Sequence, residues 1–232
     1  MQEIEFKFQV PVKKRKALQK AFTLLKAEPI HLAAQYFDTA DQTLAKHCIA
    51  IRRRQENGEW KQTFKAVNTA KALSRFELEF DIAPPETTTL DLDNYKKDYS
   101  AIYKKLKRAL GLPLPTLELL FETNIQRLRV LQDVGNSTVE IALDIGKIFE
   151  AQNNVDIFEI EFELKQGSIE DLIAFIQPWV QKYQLSLDTH SKSDYGLLAV
   201  RQQVCFPAQY QIPLILNRSS SEAEALQSIV AN

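Results

Sequence analysis

The chain opens MQEIEFKF (residues 1–8). Glu3, Glu5 and Lys7 fall two apart, and Ile4, Phe6 and Phe8 fill the gaps. Residues two apart share a face of a β-strand. The segment therefore predicts a strand over residues 3–10, ended by Pro11, with carboxylates and an ammonium on one side and apolar groups on the other. A face that mixes charge signs in this way asks what it is for.

The same alternation recurs along the chain. CIAIRRRQ (48–55) sets Ala50, Arg52 and Arg54 on one face, and ENG (56–58) is a hairpin turn signal. WKQTFKA (60–66) follows with Lys61, Thr63 and Lys65 together. SRFELEFDI (74–82) sets Arg75, Glu77, Glu79 and Asp81 against Phe76, Leu78 and Phe80. TNIQRLRVLQ (123–132) carries Ile125, Arg127 and Arg129 on one face; STVEIALDIG (137–146) carries Glu140, Ala142 and Asp144; DIFEIEFELKQG (156–167) carries Glu159, Glu161 and Glu163. AAQYFDT (33–39) is a further short strand, with Tyr36 and Asp38 on one side. Helical spacing appears at 13–26 through Leu18, Phe22 and Leu25, and at 94–110 through Tyr95, Tyr99, Ile102, Leu106 and Leu110. A third helix, 168–183, opens on the Ser168–Asp171 cap signal, and 191–199 reads as a short helix or turn bearing Lys192. Residues 83–94 are a Pro/Thr-rich connection.

Any one such strand reads as half buried, with its charges in water. The repetition argues otherwise, because carboxylates and Arg/Lys groups are concentrated on separate strands instead of being mixed with Ser, Thr and Asn. An α+β fold follows, in which a closed antiparallel barrel of about eight strands gathers the charged faces into one lumen. The apolar faces then point outward under the helices at 13–26, 94–110 and 168–183. Enclosed charges of both signs are costly unless paired or liganded. Separate carboxylate and guanidinium groups suit a divalent cation and a polyanion. Hard cations such as Mg²⁺ take carboxylate oxygens and share their coordination with phosphates, and Arg matches phosphate oxygens with two parallel hydrogen bonds.

Composition narrows the alternatives. A net charge of −1 and a pI near 6.3 over 232 residues argue against a dedicated nucleic-acid binder. Charges at positions 3, 5 and 7 argue against a signal peptide, and no apolar run approaches the ~20 residues that span a bilayer, so no membrane partner is expected. Cys48 and Cys205 have no metal-ligand spacing, which favours a reducing, cytoplasmic setting. His31, His47 and His190 lie off the charged faces and read as surface or satisfied residues; Trp60 and Trp179 read as core. With 6 glycines and no Gly-rich phosphate loop, a Walker-type nucleotide site is excluded on motif grounds.

EIEFK fits the E-x-E-x-K signature of the CYTH superfamily, the triphosphate tunnel metalloenzymes, and the later pieces follow in that family's order. These are Arg52 and Arg54, Lys65, Arg75 with Glu77, the Arg127 strand, EIALD with Glu140 and Asp144, Glu159 with Glu161, and Lys192. Over residues 1–200 the chain resembles the CYTH domain of bacterial inorganic triphosphatases. The resemblance implies metal-dependent hydrolysis of tripolyphosphate to pyrophosphate and phosphate. It also implies that Arg52, Arg54, Lys65, Arg75, Arg127 and Arg129 hold phosphates. Glu3, Glu5, Asp144, Glu159 and Glu161 would coordinate Mg²⁺ or Mn²⁺, and Lys7, Glu77 and Lys192 would serve the chemistry directly. Residues 201–232 then read as a linker and the start of an amphipathic helix, as at the beginning of a CHAD-like helical domain. The same tunnel would suit an adenylyl cyclase, a thiamine or nucleoside triphosphatase, or a non-catalytic polyphosphate-binding module. The complete carboxylate set argues against the last, because a polyanion alone does not call for so many Glu residues.

Overall fold

The charged segments form strands that join one antiparallel sheet. A computed structural model of the chain describes residues 4–67, 75–90, 92–151 and 153–203. Its elements are β1 (Glu5–Gln9), α1 (Val12–Leu24), β2 (Glu28–Asp38), α2 (Thr43–Lys46), β3 (Ile49–Glu56), β4 (Glu59–Val67), β5 (Arg75–Ile82), β6 (Thr89–Leu90), α3 (Asp93–Asp98), α4 (Ser100–Leu110), β7 (Leu117–Val134), β8 (Ser137–Glu150), β9 (Asn153–Gln166), α5 (Ile169–Tyr183), β10 (Ser186–Leu187) and α6 (Lys192–Val200). Glu3 and residues 204–232, the latter including Cys205 and the expected C-terminal helix, lie outside the described residues, as does the side chain of Arg75.

The strands run in the order β10-β1-β9-β8-β7-β2-β3-β4-β5, with β6 on β7. This corrects the expectation of a closed eight-stranded barrel. Among the described residues the sheet has ten strands, and no hydrogen bonds join β5 to β1. Eight strands are long ones that alternation revealed. The other two, β6 and β10, are two residues each, too short to show a period. Closure fails for a local reason: the outer edge of the five-residue β1 is taken by β10, through Phe8↔Leu187 and Gln9↔Ser186. The sheet nevertheless curls, since the Glu5 carboxyl on β1 lies within electrostatic reach of Lys65 on β4, at the far end of the strand order.

Register fixes which side chains share the inner face. Gln9, Glu159, Asp144, Arg127 and Ile30 lie in one row across β1, β9, β8, β7 and β2. Tyr36, Arg52, Thr63 and Glu79 lie in another across β2 to β5. The outer face is apolar and covered. Phe8, Ile141, Leu143, Ile160 and Phe162 pack beneath Leu18 and Phe22 of α1 and Leu172 and Ile176 of α5. Ile49, Ile51 and Phe64 pack beneath Leu44, Tyr95, Ile102 and Leu106 of α2, α3 and α4. The expected helix at 94–110 is two helices, because Tyr99 leaves helical geometry at φ −135°, ψ 58°. The apolar stripe survives the break, and Tyr95 and Leu106 are fully buried.

The inner face is not charged throughout. Ile30, Leu32, Ala34 and Tyr36 of β2, with Phe121, Ile125, Ile148 and Ile157, form an apolar cluster on the same face as the arginines, and Tyr195, Leu197 and Val200 of α6 pack against it. Helix α6 therefore fills part of the lumen and brings its first residue, Lys192, to the charged part. Gly196 permits the close fit: a Cβ there would lie 2.2 Å from Cε2 of Phe121, whose ring stacks on Tyr36 at 4.5 Å. Gly196→Ala gains about 1 kcal/mol of helix propensity but forces an overpacking cost of about 1–3 kcal/mol on a ring that cannot move freely. The variant is expected to melt below the native protein. A higher melting temperature in thermal unfolding would show that α6 is not seated against Phe121.

Candidate active site

Three carboxylates converge on the inner wall. One oxygen each from Asp144, Glu159 and Glu161 lies within 4.8 Å of the others, and Asp144 and Glu159 are fully buried. Adjacent register on β8 and β9 produces this crowding. Like charges this close are tolerable only with cations among them. Arg127 of β7 grips Asp144 with its fork, Nε to Oδ1 and Nη2 to Oδ2, both at 2.7 Å, and also donates to Glu161. The Lys192 ammonium sits at the focus of the group, 2.7 Å from Asp144 Oδ2, 2.5 Å from Glu159 Oε1 and 2.8 Å from Glu161 Oε1. A capping box between Ser191 and Asp194 starts α6 and so fixes where Lys192 begins. Lys7 approaches from β1, 3.2 Å from Glu159 Oε2 and 3.3 Å from Asp188 Oδ2.

The electrostatics follow from this packing. Burial works against the Glu161 carboxylate, but Lys192 and Arg127 outweigh it and hold its pKa well below the usual range. Glu159 goes the other way: burial and the neighbouring Glu161 raise it despite Lys192 and Lys7. Burial also disfavours the charged forms of Lys192 and Arg127, yet the surrounding carboxylates win and both stay firmly protonated. Glu5 lies in the lumen, where protein surrounds it while water still reaches it. Crowding by the protein and repulsion from Glu161 push its carboxyl up to about 7, against the pull of Lys192, Lys65 and Arg127.

The wall built by β3, β4 and β5 pairs its cations with carboxylates. Lys65 pairs with Glu77 at 2.6 Å, and Arg52 lies 3.8 Å from the same carboxylate. Arg54 meets Glu79 at 3.1 Å and Glu56 at 3.4 Å, while Thr63 donates to Glu79 at 3.0 Å. Tyr36 holds Arg52 by a hydrogen bond, which helps to raise the guanidinium pKa against the effect of burial.

Of the residues expected at the site, Lys7, Asp144, Glu159, Glu161, Arg127 and Lys192 form one contact network, and Arg52, Arg54, Lys65 and Glu77 another. Arg129 stands apart, paired with the exposed Glu28 at 3.1 Å. Glu140 faces Glu163 across β8 and β9, and Glu163 pairs with Lys165 at 2.9 Å. Sequence reasoning missed Asp188, whose carboxylate is buried beside Lys7, and the backbone carbonyl of His190, which accepts from the Lys7 ammonium. Both sit between β10 and α6, where no periodicity marks a functional residue. It also passed over Glu79, which the alternation of β5 had put on the correct face.

A family model described as the CYTH domain matches residues 1–194. Over 209 residues the chain is 31% identical to the inorganic triphosphatase of Haemophilus influenzae, covering 88% of this chain and 56% of that protein. It thus spans little more than half of that relative's length. Among solved structures, a Hippeastrum protein described as an adenylyl cyclase candidate with a dominant triphosphatase activity aligns with TM-score 0.59 and 19% identity, over 88% of this chain and 97% of that one. A Bacillus halodurans adenylate cyclase candidate aligns with TM-score 0.57 and 20% identity, over 83% and 96% of the two chains. At these identities the two structures establish the fold.

The raised Glu5 pKa gives a signed pH effect. Below about pH 4.5 the carboxyl is protonated in both folded and unfolded chains. Between 4.5 and about 7 only the folded chain keeps the proton, so stability falls as pH rises through this window. Above it both states are ionised and the full penalty persists. Glu5→Gln should therefore raise the melting temperature relative to the native protein at pH 8 and leave it nearly unchanged at pH 4. Equal shifts at both pH values would show that Glu5 titrates as an ordinary surface carboxyl.

Proposed function

This chain belongs to the CYTH domain family, and on that premise we propose that it hydrolyses inorganic tripolyphosphate to pyrophosphate and phosphate within the charged lumen. The observation that carries the reading is the pairing of two walls on one inner face: a three-carboxylate cluster, and an Arg/Lys group of matching reach. The identity to an inorganic triphosphatase supports the same substrate. We further propose that residues 1–200 form the tunnel unit, with 201–232 an extension from it, and that the protein works in the cytoplasm. Among the described residues no helix is long and apolar enough to cross a membrane.

The donor set fits a hard divalent cation, Mg²⁺ or Mn²⁺. Three carboxylates offer an oxygen each around a position that now satisfies an ammonium, and Glu159 Oε1 is buried without an aligned hydrogen-bond donor. Asp144, Glu159 and Glu161 would hold the cation, with Glu5 and Glu3 as further ligands. Bound there, it would neutralise phosphate charge and lower the pKa of a coordinated water. The protein's own groups do the rest. Arg52, Arg54, Lys65, Arg75 and Arg127 bind the phosphate oxygens, while Arg129, paired with Glu28, stands apart from them. Lys7 and Lys192 hold the terminal phosphate. Glu77 orients Lys65 and Arg52, with which it is already paired. Water attacks the terminal phosphorus in line; the P–O bond to the bridging oxygen breaks, pyrophosphate leaves, and the water's proton passes to solvent or a lumen carboxylate. There is little covalent work for the protein in such a transfer, so positioning and charge neutralisation carry the catalysis.

With Mg²⁺ or Mn²⁺ the protein is expected to release phosphate from tripolyphosphate with a kcat/KM well above that for ATP or thiamine triphosphate, with no cyclic AMP formed, and chelation should abolish turnover. A kcat/KM for ATP equal to or above that for tripolyphosphate would sink the assignment.

Arg52→Ala and Arg54→Ala should each lower both tripolyphosphate affinity and turnover, by on the order of ten-fold or more, the loss of a charge-assisted phosphate contact of about 1.5–3 kcal/mol. Lys at either position restores only part, since the two-pronged fork is lost. Steady-state kinetics and calorimetric binding check this, and native values in both Ala variants would place these side chains off the substrate path.

A further inference from the structure

Lys7 has more partners than a phosphate-binding lysine needs. Its ammonium meets Glu159 at 3.2 Å, Asp188 at 3.3 Å and the carbonyl of His190, and lies 5.4 Å from the centre of the Tyr195 ring. Its backbone carbonyl also accepts from Asp188 N–H at 2.9 Å. The two-residue β10 exists to make this junction: Leu187 pairs with Phe8 and Ser186 with Gln9, which delivers Asp188 beside Lys7.

Asp188 is a buried carboxylate outside the three-carboxylate cluster. Oδ2 accepts from Gln9 Nε2 at 2.7 Å and from the Tyr195 hydroxyl at 2.9 Å, and Oδ1 accepts from His190 N–H at 2.9 Å and lies 3.2 Å from His190 Nδ1. The carboxylate is thereby locked from three elements: β1 through Gln9, the loop through His190, and α6 through Tyr195. A group so fixed can fix another. We propose that Asp188 is the positioning residue of this site, holding the Lys7 ammonium against Glu159 so that Lys7 meets the terminal phosphate in one geometry. The inference rests on the tripolyphosphate reading for its consequence and on the contacts above for its mechanism. Without Asp188 the long Lys7 side chain would regain rotamer freedom and be free to swing from Glu159 toward Glu161, its partner in the strand register.

Two measurements separate this role from a merely structural one. In the first, nitrogen-15 NMR of lysine side chains follows the Lys7 ammonium, identified by its loss in Lys7→Arg. A slowly exchanging signal is expected in the native protein, and it should disappear in Asp188→Asn while the amide spectrum stays folded. A persisting, unshifted signal overturns the proposal whether or not the protein hydrolyses tripolyphosphate. The second is a double-mutant cycle on tripolyphosphate hydrolysis. Asp188→Asn should lower kcat on the order of ten-fold, as loss of a supporting partner commonly does, with a smaller change in KM. The same substitution in a Lys7→Met background should cost almost nothing further, and Asp188→Glu should recover part of the rate. An equal loss in both backgrounds means that Asp188 acts through something other than Lys7. Native protein inactive on tripolyphosphate counts against the substrate, and the ammonium signal alone then decides the tether.

Discussion

The fork of Arg127 on Asp144 is the contact on which the rest of the site depends. It joins β7 to β8 at the point where three carboxylates crowd together, and a second donation carries it on to Glu161. An ion taken from water into a protein interior costs several kcal/mol even after relaxation. Asp144 and Glu159 are fully buried, so an inner face bearing them without Arg127 and Lys192 would be strongly unfavourable. The same reasoning explains the wall built from β3, β4 and β5, where every Arg and Lys of the site described there has a Glu within reach. The charges of the lumen thus largely neutralise one another within the protein.

Helix α6 links the two halves of the lumen. Its apolar residues seal against the cluster around Phe121 and Tyr36, while its first residue supplies the ammonium at the carboxylate focus. Packing and charge therefore report to each other: the position of Lys192 is set by how Gly196 nests against an aromatic ring, and not by the lysine's own environment alone. Tyr195 extends the link to Asp188 and, through it, to Lys7.

Much of this was legible in the sequence because β-alternation is strict. Glu5 and Lys7, Arg52 and Arg54, Asp144, and Glu159 with Glu161 each declared a face, and pairing put those faces together. Three things were not legible. A two-residue strand such as β10 has no period to read, so both the open seam and Asp188 were hidden. The break at Tyr99 keeps the apolar stripe in phase, so it leaves no trace in the pattern. The apolar part of the lumen was hidden because Ile30 and Leu32 share β2 with Pro29 and His31, which disguise a strand start, and because an inward-facing Ile looks in sequence like any other core residue.

Among the described residues no hydrogen bonds join β5 to β1, and this gives the lumen a property that a sealed cylinder lacks. In a closed barrel, strand number and stagger set the bore, and widening it means breaking a ladder of backbone hydrogen bonds. Here the two ends of the sheet come within electrostatic reach of each other, the Lys65 ammonium acting on the Glu5 carboxyl. Side-chain attraction stretches gradually, and dissolved salt weakens it over a screening length of about 8 Å at physiological ionic strength. Here, then, dissolved ions reach the interaction between the two ends of the sheet in a way that a closed ladder of backbone hydrogen bonds would not allow.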